Sequence, residues 1–361
     1  QLALLAPGVN PVTPGSLSAR SAGGSLGQSA GMNVNGARDN QNRYYYDGVE
    51  TMSLGSYSFS FSLSVDAIQE FKVETNAYSA ELGGAPGGHI NLTTKSGVNA
   101  FHGQLWEFNR NDKLTTLAPF TPYSPDAKPP RLNRNQFGGN FGGPVIVPKL
   151  YNGKNRTFFF FNWELGRLVS GTSGSRLYVP PSEYRNGDFS SFASPIFDPQ
   201  TGQPFPGNRI PANRISSITS GYLKYVPSPN FSNSGFNFLG PLAAAPTKQN
   251  QYVVRMDHQF NSSNSLYGTY IYNYQETNSV PAFSFDTTGS QVPAYVGSLT
   301  DTHVFSSTMV NEARFGWHRR KSHQFFGTTN RPDLNIANEL NIPGVSTDAR
   351  NFGPPTFSNS G

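Results

Sequence analysis

From residue 101 onward, apolar and polar residues alternate over stretches of ten residues or more. In "TFFFFNWELGRL", which begins at Thr157, one side of an extended chain is apolar and the other is largely polar: Phe159, Phe161, Trp163 and Leu165 lie opposite Phe160, Asn162, Glu164 and Gly166. The segments "NQYVVRMDHQF", "SLYGTYIYNYQ" and "NEARFGWHRR" repeat this alternation. Because successive side chains of a strand point to opposite faces, each segment predicts a strand with one apolar face.

The length of these strands separates two classes of β-protein. Strands in a soluble sandwich are usually about 5 or 6 residues long. Strands that cross a membrane in a barrel need ~9–11 residues, with apolar side chains outward and aromatic girdles at both interfaces. The chain is 13% aromatic and only 14% charged. Strand length and aromatic content therefore favour a membrane barrel.

The connections between strands provide a separate test, because outer-membrane barrels alternate short turns with long loops. We predict strands at 101–112, 135–147, 156–170, 249–260, 265–276, 298–306 and 309–320. Alternate connections, "PKLYNGKN", "NSSN" and "SST", are then short, and Asn152-Gly153 predicts a hairpin turn in the first of them. The connection 171–248 is long and holds 11 of the 28 prolines. The sequence thus predicts an all-β membrane barrel, partial, with about seven antiparallel strands.

Composition excludes several other classes of protein. The formal charge of +5 is spread along the chain without a basic run, which argues against nucleic-acid binding. The absence of cysteine excludes disulfides and thiolate chemistry and fits an oxidising compartment. The longest apolar runs, "LALLA" and "FFFF", are far shorter than the ~20 residues of a membrane-spanning helix. The start, "QLALLAPGV", does not have the pattern of a signal peptide.

Residues 1–97 have a different character, small and polar, with a Ser/Gly-rich run after residue 15. In "SVDAIQEF" the apolar residues 65, 67, 68 and 71 predict one or two helical turns with a buried face. The segments "KVET" and "HINLTTK" alternate like short strands. This part is therefore predicted to be a small α/β domain.

Motifs that would carry catalysis or metal binding occur in the wrong context. "GGSLG" at 23–27 matches the G-x-S-x-G pattern, but it lacks the flanking strand and helix of a nucleophile elbow. The six histidines have no metal-site spacing. "GGAPGG" at 83–88 precedes a strand, where a dinucleotide-binding loop would open a helix. A glycosidase needs a pair of catalytic carboxylates, and the sequence has no pair that stands out for this role. We therefore expect no enzyme activity, no cofactor and no metal.

Five segments in order along the chain resemble TonB-dependent outer-membrane receptors of the Oar-like branch. They are "NVNGARDNQNRYYYDGVE", "VDAIQEFKVETNAYSAELGGAPGGHINLTTKSG", "FHGQLWEFNRND", "NQFGGNFGGPVIVPKLYNGKNRTFFFFNWE" and "DPQTGQPFPGNRIPANRI". In that family a globular plug sits inside a barrel of about 22 strands. The resemblance implies that residues 1–97 are most of the plug, that residues 98–361 are the N-terminal part of the barrel with long extracellular loops, and that the chain is a fragment of a longer receptor.

The resemblance also implies a site and partners. The plug loop "ARDNQNR" and two neighbouring loops would face the cell exterior and bind a bulky nutrient, an oligosaccharide, a peptide or a siderophore. The implied residues are Arg20, Arg38, Asn40, Gln41, Asn42, Tyr57, Phe59 and Phe61. Energy would come from TonB with ExbB and ExbD, outer-membrane lipid would surround the barrel, and a surface lipoprotein could cap it.

Two alternatives stay open at this stage. From the residues alone, Arg38, Asp39, Arg43 and Asp47 could instead form a structural ion-pair network. For the whole chain, the alternative function is a surface adhesin or structural barrel that presents the loop 171–248 without transport.

Overall fold

The computed structural model describes residues 5–11, 32–53, 58–75, 84, 86–116, 131–171, 176–231, 236–239, 244–279, 288–326, 335–346 and 348. The chain divides into two compact units. The first comprises residues 1–170, 246–277 and 290–323, and the second comprises residues 171–245, 278–289 and 324–361. Arg20 and Tyr57 lie outside the described residues.

The first unit begins with the N-terminal segment, as we call the described part of residues 5–97. Its strands are β1 (Val9–Pro11), β2 (Met32–Val34), β3 (Arg43–Tyr46), β4 (Val49–Glu50), β5 (Met52–Ser53), β6 (Ser58–Phe59), β7 (Ile68–Glu74) and β8 (His89–Thr94). Four of them form a sheet in the order β4-β3-β8-β7, in which β3 and β8 are parallel. Asp47 and Gly48 connect β3 to β4 with φ of 47° and 79°, the conformation of a tight hairpin turn. The strands that we predicted around "KVET" and "HINLTTK" are confirmed.

The prediction for "SVDAIQEF" is wrong in its extent. One 3₁₀ turn, Val65–Ala67, is followed at once by β7. Ala67 is buried and Val65 is exposed, so the apolar spacing does not mark one helical face. Pairing of β7 with β8, Phe71 opposite Leu92, takes residue 71 into the sheet, since tertiary pairing outweighs a short periodic signal.

The remaining strands are, in order, β9 (His102–Asn111), β10 (Leu132–Pro144), β11 (Ile146–Val147), β12 (Tyr151–Asn152), β13 (Thr157–Gly171), β14 (Arg176–Leu177), β15 (Phe238–Leu239), β16 (Ala244–Asn261), β17 (Asn264–Ser279), β18 (Thr288–Ser306), β19 (Met309–Arg320) and β20 (His323–Phe326). The seven long strands β9, β10, β13, β16, β17, β18 and β19 lie side by side in that order in one antiparallel sheet, the large sheet. All seven strands that we predicted are confirmed, although β18 begins ten residues earlier.

The three short connections lie at one end of the large sheet. The amide of Gln259 donates to the carbonyl of Arg156 at 2.7 Å, and the amide of Val304 donates to the carbonyl of Ser263 at 2.8 Å. The predicted hairpin turn at Asn152-Gly153 is wrong, because Asn152 pairs with Ile146 inside the β11–β12 ribbon. The turn of that ribbon precedes Tyr151, and its Lys149 has a φ of 64°.

The two faces of the large sheet differ in chemistry. The inner face, toward the N-terminal segment, buries polar side chains such as Gln251, Asn273 and Thr300. The outer face exposes large apolar ones such as Val254, Met256 and Phe315. A soluble protein has the reverse arrangement, so this distribution is that of a sheet whose outer face meets lipid.

Aromatic side chains form two rows on the outer face. One row crosses four strands: Tyr252 stacks on Tyr272 with centroids 6.2 Å apart, Tyr295 follows at 5.2 Å, and Trp317 follows at 6.3 Å. The other row lies near the short connections: Phe101, Phe141, Phe159 and Phe260. Between Tyr252 and Phe260 the strand rises ~27 Å. A strand tilt of about 35–45° reduces this to ~19–22 Å, which fits within the ~25 Å height of a barrel's apolar band.

The second unit contains most of the long connection 171–248. Its helices are α1 (Ser182–Arg185), α2 (Ser217–Tyr222) and α3 (Ile336–Glu339). Side chains hold the connection in place. The carboxylate of Asp198 accepts hydrogen bonds from two guanidinium nitrogens of Arg214 at 3.0 and 2.6 Å. These bonds are the main reason that the pKa of Asp198 is lowered. The Asn208 amide donates to the carbonyls of Phe189 and Ser194.

Among the helices of the described residues, none is long and apolar enough to cross a membrane.

Candidate ligand site and its contacts with the large sheet

The loop between β2 and β3, residues 35–42, is rigidly built. Its centre is the 3₁₀ turn Asp39–Gln41, which Gln41 closes by accepting the amide of Arg38 on its side-chain oxygen at 2.9 Å. The Asn35 amide ties the start of the loop to the carbonyl of Thr75 at 2.7 Å. Such local caps satisfy backbone groups that a short turn leaves open. The loop therefore presents its outward side chains in a fixed arrangement.

Asn42 anchors the end of the loop inside the N-terminal segment. It is fully buried. Its amide nitrogen donates to the carbonyl of Met32 at 2.8 Å, and its amide oxygen accepts from the backbone nitrogen of Gly88 at 2.9 Å. A side chain that bonds both β2 and the residue before β8 in this way positions the loop.

The residues predicted for the site fall into three groups. Arg38 and Asn40 are exposed on the loop, and Gln41 is half-buried beside them. Asn42 and Phe61 are buried inside the N-terminal segment, with Phe61 packed against Tyr46. Phe59 lies in β6, and its side chain, like Arg20 and Tyr57, lies outside the described residues. The structure thus places Arg38, Asn40 and Gln41 together on one loop.

Polar contacts join the N-terminal segment to the inner face of the large sheet. The side-chain oxygen of Gln251 accepts a hydrogen bond from the backbone nitrogen of Ser64 at 2.6 Å, and its side-chain nitrogen donates to the carbonyl of Ser62 at 2.7 Å. Ser64 also donates its hydroxyl to Glu164 at 3.0 Å. Asp66 accepts from Gln104 at 2.7 Å. Together these bonds fix residues 62–66 to three strands.

A second group of contacts, the arginine cluster, lies nearer the short connections. It consists of Asp47, Thr94, Ser96, Arg255 and Asp257. Asp47, buried in the tight turn after β3, accepts the amide and the hydroxyl of Thr94 at 2.9 and 2.8 Å. Arg255 donates to the carbonyl of Thr94 at 3.0 Å, pairs with Asp257 at 2.8 Å and lies 3.6 Å from Asp47. Ser96 donates to Asp257 at 2.8 Å.

Close packing of the turn after β3 against β19 accompanies the arginine cluster. A Cβ placed on Gly316 of β19 would lie 2.7 Å from the side chain of Val49. One on Gly48, whose φ is 79°, would lie 1.8 Å from the guanidinium of Arg314. The turn at residues 47–48 therefore fits against β19 because Gly48 and Gly316 have no side chains.

The sequence did not reveal the arginine cluster as a unit. Alternation in "NQYVVRMDHQF" predicts that Arg255 and Asp257 lie on the polar face of their strand, which the structure confirms, but it does not identify their partners. In the alternative of an ion-pair network among Arg38, Asp39, Arg43 and Asp47, the side chain of Asp39 lies outside the described residues, and Arg43 and Asp47 have other partners. Arg43 pairs with Glu50 at 3.1 Å, and Asp47 faces Arg255.

No cluster of metal-ligating side chains occurs among the residues that the structure describes. Several buried polar atoms of the inner face, those of Asn162, Thr269 and Ser298, have no protein partner. Groups of this kind are commonly satisfied by buried water.

Comparisons with known proteins agree with this architecture. A model of the Outer membrane beta barrel domain matches residues 93–361, and a model of the TonB-dependent Receptor Plug Domain matches residues 2–89. The TonB-dependent transporter Oar of Myxococcus xanthus is 27% identical over 142 residues, which are 36% of this chain and 12% of that protein. The outer membrane transporter YddB of Escherichia coli has a similar fold, with a TM-score of 0.57 at 11% identity over 91% of this chain. The match covers 37% of the YddB chain.

Proposed function

The chain belongs to the outer membrane beta barrel family and carries a TonB-dependent receptor plug domain, and from this we propose that it binds a bulky nutrient and imports it to the periplasm. It is a protein of the outer membrane and a member of the TonB-dependent receptors. In the proposal, residues 1–97 are the plug and residues 98–361 are the first part of the barrel. The nutrient contacts Arg38, Asn40 and Gln41 at the plug apex and the outer loops.

The observation that carries this proposal is the polarity of the boundary between the plug and the large sheet. Apolar side chains of the large sheet, such as Val253 and Ile271, share one buried cluster with the plug, but Gln251, Glu164 and Arg255 also hold the plug by hydrogen bonds across this boundary. Net hydrogen bonds contribute only about 0.5–1.5 kcal/mol each when water can replace the partner. A plug held in this way can be displaced in steps by a mechanical pull.

The source of that pull is part of the same proposal. TonB, working with ExbB and ExbD, would transmit energy to the plug, because the outer membrane itself has no ATP supply. Lipid of the outer membrane surrounds the outer face, and a surface lipoprotein would close the barrel from outside. The ligand is an oligosaccharide, a peptide or a siderophore.

Uptake by cells tests the proposal. Cells that express the full receptor would be given labelled oligosaccharides, peptides and ferric siderophores, in the presence and absence of TonB and with or without residues 1–97. We expect accumulation of one solute that requires both TonB and the plug. Accumulation that is unchanged without TonB would contradict active import.

An adhesin or structural barrel is the alternative. The observation in its favour is the internal bonding of the long connection, in which Arg214 and Asn208 hold a fixed loop conformation. Under this alternative the receptor would bind its partner on the cell surface, and no member of the solute panel would accumulate through TonB.

A charge on the outer face tests the membrane orientation of the sheet. Met256 is half exposed and lies midway between the aromatic residues Tyr252 and Phe260. We expect Met256→Arg to destabilise the folded barrel by about 2–4 kcal/mol, because the arginine would enter the middle of the bilayer. Urea titration in lipid vesicles measures the change.

Phe260→Arg, on the same outer face and at the end of the strand near the short connection, is the matched control. It should change stability by about 0–1 kcal/mol, since charges near the interface cost little. Equal effects of the two substitutions would show that the outer face does not meet the bilayer core at Met256.

A further inference from the structure

The short connection between β10 and β13 carries a small ribbon whose apolar side chains are exposed. The ribbon consists of β11 and β12, which pair with each other. Its tip, Leu150, is 83% exposed, and three further apolar side chains of the ribbon are also exposed: Ile146, Val147 and Tyr151. The amide of Leu150 donates to the carbonyl of Val147 at 3.0 Å and closes the turn. The ribbon is therefore a hydrogen-bonded element that holds apolar side chains outward.

The ribbon meets the outer face of the large sheet. The hydroxyls of Tyr151 and Thr157 form a hydrogen bond with each other, and the hydroxyl of Thr157 lies 2.7 Å from Nδ1 of His258. Faces of a strand repeat every second residue, so Thr157 shares the outer face with Phe159. For the same reason His258 shares it with Phe260. Tyr151 is thus at the level of the aromatic row near the short connections.

The ribbon does not lie at an open edge of the large sheet. It contacts β13 and β16, each of which has a neighbouring strand on both sides. The edges of the described sheet are β9 and β19, and a further strand of the barrel would pair there. Such a strand would extend the sheet and would not cover the ribbon.

Three basic side chains accompany the apolar ones. Lys149, Lys154 and Arg156 are exposed, and residues 145–157 contain no aspartate or glutamate. The other two short connections, 261–264 and 306–308, contain no charged residue. None of the three cations forms an ion pair with the residues that the structure describes. This end of the large sheet therefore combines net positive charge with exposed apolar side chains.

The backbone that carries two of the cations is fixed. The backbone nitrogen of Lys154 donates to Oδ1 of Asn152 at 3.2 Å, and that of Arg156 donates to the carbonyl of Gly153 at 2.9 Å. Between them, the backbone nitrogen of Asn155 donates to the side chain of Asn99 at 2.7 Å. A binding surface whose backbone is already ordered loses less conformational entropy when it binds.

We propose that the ribbon and the cations Lys149, Lys154 and Arg156 form a binding site for anionic phospholipid of the periplasmic leaflet. Outer-membrane barrels have their short turns on the periplasmic side, so the ribbon lies at that leaflet. The apolar side chains enter the boundary between headgroups and acyl chains, and the lysines and the arginine attract the lipid phosphate. Tyrosine is suited to the level of the headgroups, because its ring is apolar and its hydroxyl is polar.

Lipid fits this surface better than an acidic protein does. Tyr151 joins the ribbon to the outer face, which lipid covers, and Leu150 extends the apolar surface beyond that contact. The inference goes beyond nutrient import, since it depends on the orientation of the large sheet in the membrane and on no solute.

Native mass spectrometry of the purified full receptor tests the site. The receptor in detergent is titrated with dioleoyl phosphatidylglycerol or with dioleoyl phosphatidylcholine, which differ in net charge and have the same acyl chains. We expect tighter binding of phosphatidylglycerol. The combined substitution Lys149→Gln, Lys154→Gln and Arg156→Gln should reduce this preference about tenfold or more, because each cation beside an anionic lipid surface contributes roughly fivefold.

The matched control changes the same three positions and keeps their charge: Lys149→Arg, Lys154→Arg and Arg156→Lys. It should retain the preference. Leu150→Ser should weaken binding of both lipids alike, because it removes apolar surface and no charge. Retention of the heat-modifiable mobility of a folded barrel shows that each variant is folded.

Three results would each overturn the inference. The first is equal binding of the two lipids by the native receptor, which would assign the cations to another partner, such as an acidic protein. The second is a native preference in the receptor that lacks the three cations. The third is a loss of preference in the charge-conserving variant that equals the loss in the neutralised one.

Discussion

Asp47→Ala is expected to loosen the plug more than any other single change in the arginine cluster. The buried carboxylate bonds twice to Thr94 and faces Arg255. Its removal leaves the amide of Thr94 without this acceptor and leaves Arg255 with Asp257 as its counter-charge. Breaking a buried pair in this way costs ~3–5 kcal/mol, and because Asp257 remains we expect about 3 kcal/mol. Local opening of β8 should then be about a hundredfold more frequent.

Hydrogen exchange in the folded receptor measures that opening at the amide of Thr94. Asp47→Asn separates charge from shape, because asparagine keeps an acceptor for Thr94 and tolerates the positive φ of this turn. It should have a smaller effect. Glu50→Gln, in the same hairpin but paired with Arg43, should leave exchange at Thr94 unchanged. Exchange in Asp47→Ala as slow as in the native receptor would show that the cluster does not hold the plug.

Tyr46→Ala is expected to destabilise the plug by about 3–5 kcal/mol, the usual cost of removing a buried aromatic ring. Tyr46 is 1% exposed. Its ring packs edge-on against Phe61 with centroids 5.2 Å apart, and its hydroxyl donates to the carbonyl of Phe61 at 2.5 Å. It therefore holds residues 58–63, which lead to the contacts with Gln251. Tyr46→Phe keeps the ring and should cost about 1–3 kcal/mol for the unsatisfied carbonyl.

Pulse proteolysis of the folded receptor measures these changes through cleavage within the plug. Tyr45→Ala is the control from the same run of three tyrosines, since Tyr45 is half-buried and stacks on His89 at 6.0 Å. We expect Tyr45→Ala to destabilise the plug less than either Tyr46→Ala or Tyr46→Phe. If Tyr45→Ala and Tyr46→Ala are equally sensitive to protease, Tyr46 is not the anchor that the packing indicates.

Sequence periodicity predicted the strands of the large sheet well because alternation is a local property. A strand with one lipid-facing side must place an apolar residue at every second position, as Tyr252, Val254 and Met256 do. Loop lengths then determined which ends of the strands meet. The prediction was wrong where the signal was short: the residues around Val65 make one turn, and Asn152 lies in a strand.

The candidate site was only partly predictable. The resemblance identified the loop that carries Arg38, Asn40 and Gln41, but the sequence did not distinguish these from Asn42 and Phe61, which the fold buries. Burial depends on which strands pack around the loop. Gly88, whose backbone nitrogen donates to the buried Asn42, is 46 positions away in the sequence, so local sequence patterns do not show that Asn42 is buried.

The sequence by itself determined the class of the protein: the period and length of its segments predicted a membrane barrel, and their resemblance to a known family implied the N-terminal plug. Only the tertiary structure decided which polar side chains of the inner face meet, such as Gln251 with Ser64 across 187 residues and Arg255 with Asp47. The physical reason is that periodicity specifies the face on which a side chain lies, whereas strand register and the position of the plug specify its neighbour.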